Sequence, residues 1–495
     1  MKPPAIKAYP VRPGPQVCFA TRTTRRGIFS FESPDELPTV GLMSHRFLAI
    51  LAATGLLLSS TPRVQAAEPA KSDAKPAFTV VKAARVVDPK AGVVLTDQAI
   101  IISGDKVQSI VPAADVAKAL PADAVVTIID LGSATVLPGL IDCHTHVTGQ
   151  PTNFYEDIFR RSPIDQATTS HIYAKRTLDA GFTTIRNVGA DNYVDFALRN
   201  AINAGKLPGP RILASGPALS ATGGHGDLNG MSPYIRFEGE INGIANGVEE
   251  VRKKVRENVK YGADVIKILA TAGVLSEEEA VGLPQYTLEE MKAAVDEAHV
   301  WGKRVAAHAH GTEGIKLAIR AGVTSVEHSS FIDDEGIKLA LEHGTYLVFD
   351  IYNDDYIMAE YGRLGYPQKI LDKEKLVGRT QRENFTKALK AGCKLAFGTD
   401  AGVYPHGWNA KQFHTMVVWG MTPMQAIQAA TVSAADLLGW NTKVGQLAPG
   451  FYADLIAVKG DPLTNETVLE HVDFVMKGGE VYKNKLTADP VKVFE

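Results

Sequence analysis

Two histidines stand one residue apart in Asp142-Cys143-His144-Thr145-His146. Side chains alternate along an extended chain, so both rings would face one side and could chelate a single ion. The same spacing recurs at His308 and His310 in RVAAHAH. Lys267 lies inside the apolar run VIKIL, where an ammonium is costly to bury without a partner. Its side chain either reaches back to solvent or, if buried, loses basicity and offers a neutral, nucleophilic amine. Two more apolar runs end in polar groups of the same kind, Glu327-His328 and Phe397-Gly398-Thr399-Asp400. A lone His-x-His pair is weak evidence for a metal, but here every polar group stands at the C-terminal end of an apolar run.

Those runs are the elements that must position the chemistry. LIDCHTHV (140–147), FTTIRNVG (182–189), RILASG (211–216), DVIKILA (264–270), RVAAHAH (304–310), TSVEHSS (324–330), TYLVFDI (345–351) and KLAFGTD (394–400) read as short strands separated by amphipathic helical patterns. Eight such units are what a closed parallel barrel requires, and barrel enzymes carry their catalytic groups on the C-terminal face. Glycines at 181, 262, 302, 322, 344 and 392 stand where helices would end and turn back into strands. Thr287 with Glu290 predicts a capping box.

The flanks of this region are β-rich. Residues 78–138 predict a small antiparallel sheet with a turn at Gly104-Asp105, and 441–495 return to strands in YADLIAVKG and DFVMKGGEVYKN. The expected architecture is α/β: a (β/α)8 TIM-like barrel over 139–440, with a small β-sandwich whose halves, 78–138 and 441–495, come from both chain ends. Two long loops, 148–168 and 352–378, would leave the C-terminal face. Their aromatic residues Phe154, Tyr155, Tyr352, Tyr356 and Tyr361 are candidates for an apolar pocket.

Composition excludes several function classes. With 495 residues, 45% hydrophobic and 22% charged, the chain has material for a large core and more than one domain. A net charge of −3 leaves no electrostatic footprint for nucleic acid or an acidic membrane, so a small-molecule or peptide substrate is expected. Cys18, Cys143 and Cys393 make no disulfide framework. The apolar run 47–58, after His45-Arg46 and before Val64-Gln65-Ala66, has the parts of a secretory signal peptide and is too short for a membrane span. Met43 stands where its initiator would be. Residues 1–42 therefore read as an upstream extension, 43–66 as the signal peptide and 67–77 as a linker, giving a periplasmic or secreted protein free of the membrane after cleavage. A buried helix is the alternative for this run, weakened by Pro62 and the polar stretch 68–77.

The motifs LPGLIDCHTHV, TTIRNVG, TGGHGD, GADVIKILA, VAAHAHG, SVEHSS, FGTDAG and GQLAPGFYADLIAV together resemble the metal-dependent amidohydrolase superfamily. The resemblance covers roughly residues 78 to 490. It is greatest to the branch holding imidazolonepropionase-like proteins, Xaa-Pro dipeptidases and ochratoxin-hydrolysing amidases. It implies two divalent metals bridged by a lysine that carbon dioxide has carboxylated. Carried over by position, His144, His146 and Asp400 would bind the first metal, His308 and His328 the second, and Lys267 would bridge both. Imidazole and oxygen donors without thiolate suit zinc. A water bridging two such metals becomes hydroxide near neutral pH and attacks a carbonyl that one metal polarises. Asp400 is then the candidate proton shuttle to the leaving nitrogen.

His225, in Thr222-Gly223-Gly224-His225-Gly226-Asp227, and His310 are left as substrate-binding candidates, with the alternative that each only orients a ligand. Cys143, between two inward histidines, should pack outward. His299 and His343 fall near helix C-termini, where a histidine complements the dipole. Asn187 stands where relatives often have Asp and cannot carry that charge. The implied activity is release of a C-terminal L-amino acid from dipeptides or N-acyl amino acids, with ochratoxin A, an amide of phenylalanine, as a candidate substrate. Hydrolysis of a cyclic amide is the alternative, and a barrel that has lost catalysis is a third reading. The resemblance also suggests a symmetric homo-oligomer, an octamer among the candidates.

Overall fold

The computed structural model describes residues 75–235, 241–278 and 280–494. The expected extension, signal peptide and most of the linker lie outside the described residues. Seven of the eight apolar runs form parallel strands. Leu140–Thr145, Phe182–Asn187 and Arg211–Ala214 pair in that order. Val265–Leu269, Arg304–Ala309, Ser325–His328 and Tyr346–Val348 pair as a second parallel sheet. Single bridges carry the pairing further, from Leu219 to Ile268, from Leu347 to Leu395 and from Thr145 to Ala401. These strands are apolar at successive positions because both of their faces are covered.

The eighth run, 394–400, departs from expectation: it is not a regular strand. It changes partner along its length, the carbonyl of Lys394 accepting from Leu347 N–H and that of Phe397 from Cys143 N–H. It ends with Asp400 at φ 56°. A β-carbon on Gly398 would meet Val348 Cγ1 at 2.2 Å and His144 Cβ at 3.0 Å, so only glycine lets the backbone pass between its neighbours.

The helices behind the strands bury one stripe each. In Thr312–Ala321 it is Ile315, Ala318 and Ile319, which join the large apolar core under the parallel strands. All six expected helix-to-strand glycines have positive φ, and Thr287 and Glu290 form the reciprocal cap. The segments expected as long loops are instead largely helical. Phe154–Phe159 is capped by Asn153, Pro163–Asp179 opens with a capping box between Ser162 and Asp165, and Asn353–Glu360 and Gln368–Lys390 occupy the second segment. The caps supply the partners that the first turns lack, which is what turns a loop sequence into helix starts.

Both chain ends contribute to one eight-stranded sheet. Ala77–Asp88, Val93–Ser103, Lys106–Pro112, Val125–Asp130 and Thr135–Pro138 come from the first end, and Leu455–Val458, Val472–Lys477 and Glu480–Asn484 from the second. They meet where Val136 pairs with Ala457. The sheet is mixed, not antiparallel as the sequence suggested: Val125–Asp130 and Thr135–Pro138 run parallel to Ala77–Asp88. The chain reaches Val125 through the short helix Val116–Ala119, a crossover in place of a hairpin. One sheet face gathers Val81, Ile100, Ile129, Val136, Leu455 and Phe474, while Leu137, Ile456 and Val475 on the other join the core of the parallel strands. Among the described residues no helix is long and apolar enough to cross a membrane.

Candidate metal centre

The C-terminal ends of the parallel strands converge on a cavity of about 760 Å³. His144, His146, His225, Lys267, His308, His310, His328 and Asp400 all line it, so the residues singled out for metals and substrate share one site. Asp400 Oδ1 lies 3.3 Å from His144 Nε2 and 3.2 Å from His146 Nε2. The rings of His308, His310 and His328 have centroids 4.5 to 4.8 Å apart. Three overlapping groups have potential ligand atoms within 4.8 Å of one another: His144, His146 and Asp400; His308, His310 and His328; and His328, Asp350 and Asp400. His310 thus sits as close to the second group as His308 does.

Both ring nitrogens of His144 and Nε2 of His308 are buried without a hydrogen-bond partner among the described residues. Buried polar atoms are normally satisfied, and buried imidazole nitrogens without a hydrogen-bond partner are what a divalent cation would satisfy. The electrostatics agree. Burial and Lys267 oppose a proton on His144, yet Asp400 and Glu327 outweigh them and hold the ring above its ordinary value. The site therefore favours positive charge there. Burial, with the neighbouring rings, pushes His308 and His310 well down, so both are neutral donors of lone pairs. Burial would raise Asp400, but His144 and His146 hold it well below the usual carboxylate range.

Lys267 is 1% exposed, so its side chain does not escape to solvent. Burial brings its ammonium down to about 8, against the pull of Glu327 and Asp400. Near neutral pH a useful fraction is then free amine, the form that reacts with carbon dioxide to give a carbamate and a proton.

A layer beneath these groups holds them, and most of it was not foreseen. Asp142 accepts from Thr399 Oγ1 at 2.6 Å and Asn409 Nδ2 at 2.8 Å, and from the N–H groups of His144 and Thr399. It thereby ties the first strand to the run that carries Asp400. Asp350 Oδ2 lies 2.9 Å from His328 Nδ1 and is itself held by Gln381 and Asn353, leaving Nε2 of His328 for the cavity. The guanidinium of Arg186 donates to Glu327 Oε1 at 2.8 Å, both groups buried, and Glu327 Oε2 stands 3.3 Å from His144 Nδ1. Asn187 is a tie and not a charge: its Oδ1 accepts from Val147 N–H at 2.6 Å and its Nδ2 donates to Asp195. Asp142, Arg186 and Glu327 lie in the strand motifs themselves, so the sequence held a cue for each. Asp350, at the end of the run TYLVFDI, carried the same cue and was passed over, whereas Gln381 and Asn409 had none, because they come from a helix and a turn outside the strand motifs.

His225 rests its ring on His308 at 4.3 Å between centroids, with Nδ1 2.6 Å from Ser276 Oγ. His310 Nδ1 lies 2.8 Å from Ser330 Oγ. Burial brings His225 down to about 4, so it too is neutral. Tyr155 and Tyr352, expected near the substrate, lie outside the cavity wall: Tyr155 is 61% exposed beside Phe159, and Tyr352 packs edge-on to Tyr404. The helical turns that replaced the loops point them away, and Tyr361 and Tyr366 line the wall instead. Cys143 packs outward among Ile141, Leu213 and Val348. His299 and His343 stand in the last turns of their helices.

Comparison with known proteins adds to this geometry. The family model described as the amidohydrolase family matches residues 135–483. The chain is 34% identical to ochratoxinase of Aspergillus niger over 369 residues, 70% of this chain and 75% of that protein. The crystal structure of a Xaa-Pro dipeptidase with bound methionine in the active site matches with a TM-score of 0.75 and 40% identity, over 82% of this chain and 100% of that one. Imidazolonepropionase of Idiomarina loihiensis is 24% identical over 399 residues, 76% of this chain and 89% of that protein. These likenesses imply a TIM-like barrel for the parallel strands.

Proposed function

The chain belongs to the amidohydrolase family and is a hydrolase of amide bonds, and from that premise we propose that it releases a C-terminal L-amino acid from dipeptides or N-acyl amino acids in a two-metal site. One observation carries the reading: two groups of buried imidazole and carboxylate donors, with unsatisfied nitrogens, face one cavity large enough for such a substrate. Likeness to an ochratoxinase and to a dipeptidase holding methionine supports an amino acid as the leaving part, with ochratoxin A as a candidate substrate.

In this reading His144, His146 and Asp400 would hold one divalent ion, zinc by its donor set, and His308 and His328 the other, and Lys267 as a carbamate would serve as a ligand to both. Two such ions, when bound, supply Lewis-acid polarisation of the scissile carbonyl and acidify the attacking water. Asp400, held ionised by the two histidines, accepts the proton at its carboxylate and returns it to the leaving nitrogen. His225 and His310, neutral, offer ring nitrogens to the substrate's carbonyl or carboxylate, each fixed by a serine hydroxyl. The reading also takes the eight apolar runs as a closed barrel, the flanking eight-stranded sheet as a sandwich from both chain ends, residues 43–66 as an export signal and the assembly as a symmetric oligomer.

The test is a substrate profile of metal-reconstituted enzyme across dipeptides, N-acyl amino acids and cyclic amides, with metal content measured alongside. Turnover of the first two classes is expected, with Asp400→Asn folded, weaker in metal and nearly inactive. Turnover confined to cyclic amides would reject this reading for the one favoured by the imidazolonepropionase likeness. N-terminal sequencing of secreted protein tests the signal, with Ala67 as the expected first residue.

A further inference from the structure

Helix Gln368–Lys390 carries a buried stripe at Ile370, Glu374, Val377 and Gln381, of which the last three line the cavity. Three of these behave as buried residues should. Ile370 and Val377 join Val274, Ile357, Tyr361 and Val403 in an apolar cluster, and the Gln381 amide donates to Asp350 and to the His328 carbonyl. Glu374 does not. It is 3% exposed and lines the cavity, yet its carboxyl makes no hydrogen bond or ion pair among the described residues. A buried acid without a partner is costly, so a sequence that keeps one in a ligand cavity points to a partner arriving from outside.

The surroundings define that partner's charge. Asp354, Asp350 and Asp400 all raise the cost of ionising Glu374, and Arg382, the nearby cation, is engaged with Asp354 and Asp355. Burial first, then these carboxylates, push Glu374 up to about 8. A carboxyl with no cation of its own to pair with accepts most strongly from a positively charged donor. Ile357, Tyr361, Val377 and Val403 also line the cavity, so carbon next to the partner's charge finds apolar contacts.

We propose that Glu374 is a specificity residue that seats a cationic nitrogen of the substrate, so that the enzyme prefers substrates carrying an amino group within reach of this wall. This rests on the amide-hydrolase reading above. The nitrogen has two sources, the free α-ammonium of a dipeptide or the ammonium of a basic side chain on the released amino acid. Both place an N–H donor on an acceptor that the protein leaves unused, and binding displaces any proton on Glu374 to solvent.

Two matched pairs separate the sources, the first of them isosteric. Glycyl-L-phenylalanine against N-propionyl-L-phenylalanine exchanges the α-ammonium for a methyl group. N-propionyl-L-lysine against N-propionyl-L-norleucine removes the side-chain ammonium. Wild-type enzyme is expected to favour the charged member of one pair by about ten- to hundred-fold in kcat/KM, the size of one hydrogen bond to a charged group. The pair that shows it names the source. In Glu374→Gln that ratio should collapse toward unity, and in Glu374→Met it should invert, with melting curves reporting that each variant is folded. No charge preference in the wild type overturns the proposal, as does a preference that survives in both variants, or equal loss on both members of a pair. Absence of turnover on all four compounds by metal-loaded wild type overturns the amide-hydrolase reading itself, and this proposal with it.

Discussion

The floor and the side wall of the cavity are built on different principles. On the floor, nearly every polar group has a fixed partner: Asp142 has four donors, Asp350 three, and Glu327 has Arg186. The atoms left over, on His144 and His308, belong to residues that line the cavity. The wall, from Asn353–Glu360 and Gln368–Lys390, sets Ile357 and Val377 beside Asn353, Gln381 and one acid that makes no hydrogen bond or ion pair among the described residues. A floor held at this many points can keep its reacting atoms in place while the wall changes, which is how one chemistry serves many substrates.

Substitutions on the two sides should break this contrast or sharpen it. The largest effect is expected from Arg186→Met, which strands Glu327 as an unpaired buried charge. It should cost about 3–5 kcal/mol of unfolding free energy in denaturant titration, and a loss under about 1 kcal/mol would mean that the floor is not braced as described. Next is a pH slope. Burial raises Asp195 to about 6, against its hydrogen bonds from Gly216, Asn187 and Phe196. A raised acid contributes stability that is complete below its unfolded value and lost as pH rises through its folded one. Between pH 4 and 7 the wild type should thus lose roughly 2–3 kcal/mol relative to Asp195→Asn, read from paired denaturation curves. Parallel curves would show that Asp195 does not titrate in this range.

Asp350→Asn follows. It keeps the shape but loses the charge that orients His328, and should weaken metal binding about 10–100-fold by competition titration, with unfolding in denaturant little changed. On the wall, Ile357→Val should cost less than about 1.5 kcal/mol and move KM among side chains more than kcat. If it lowered kcat as much as Asp350→Asn does, the division between floor and wall would fail.

The same contrast explains what the sequence disclosed. The floor was legible because strand alternation converts spacing into direction: His144 and His146, or His308 and His310, could only share a face. Lys267 and Asp400 were visible as polar groups in runs that had to be buried. The wall was not legible, since its residues come from two helices, Asn353–Glu360 and Gln368–Lys390, that open without a side-chain cap and are placed by packing between distant segments. Reading 148–168 and 352–378 as loops put Tyr155 and Tyr352 at the substrate, and helical turns rotate both away. The eighth run looked like a strand because apolar composition does not register a change of partner. Gly398 was the one local hint. In the flanking sheet, hairpin spacing suggested antiparallel pairing throughout, and the crossover through Val116–Ala119 is too short to announce itself.

The eighth run also bears on the order in which the protein becomes active. His308, His310 and His328 arise within one strand–helix–strand unit and can assemble as soon as that unit folds. Asp400 reaches His144 and His146 only when Thr399 finds Asp142, 257 residues away along the chain. Contacts of such separation form late, because loop closure must precede their reward. Refolding followed by circular dichroism and by turnover should therefore show helices returning first, and a nascent chain that has not yet emitted residue 400 holds half of a site.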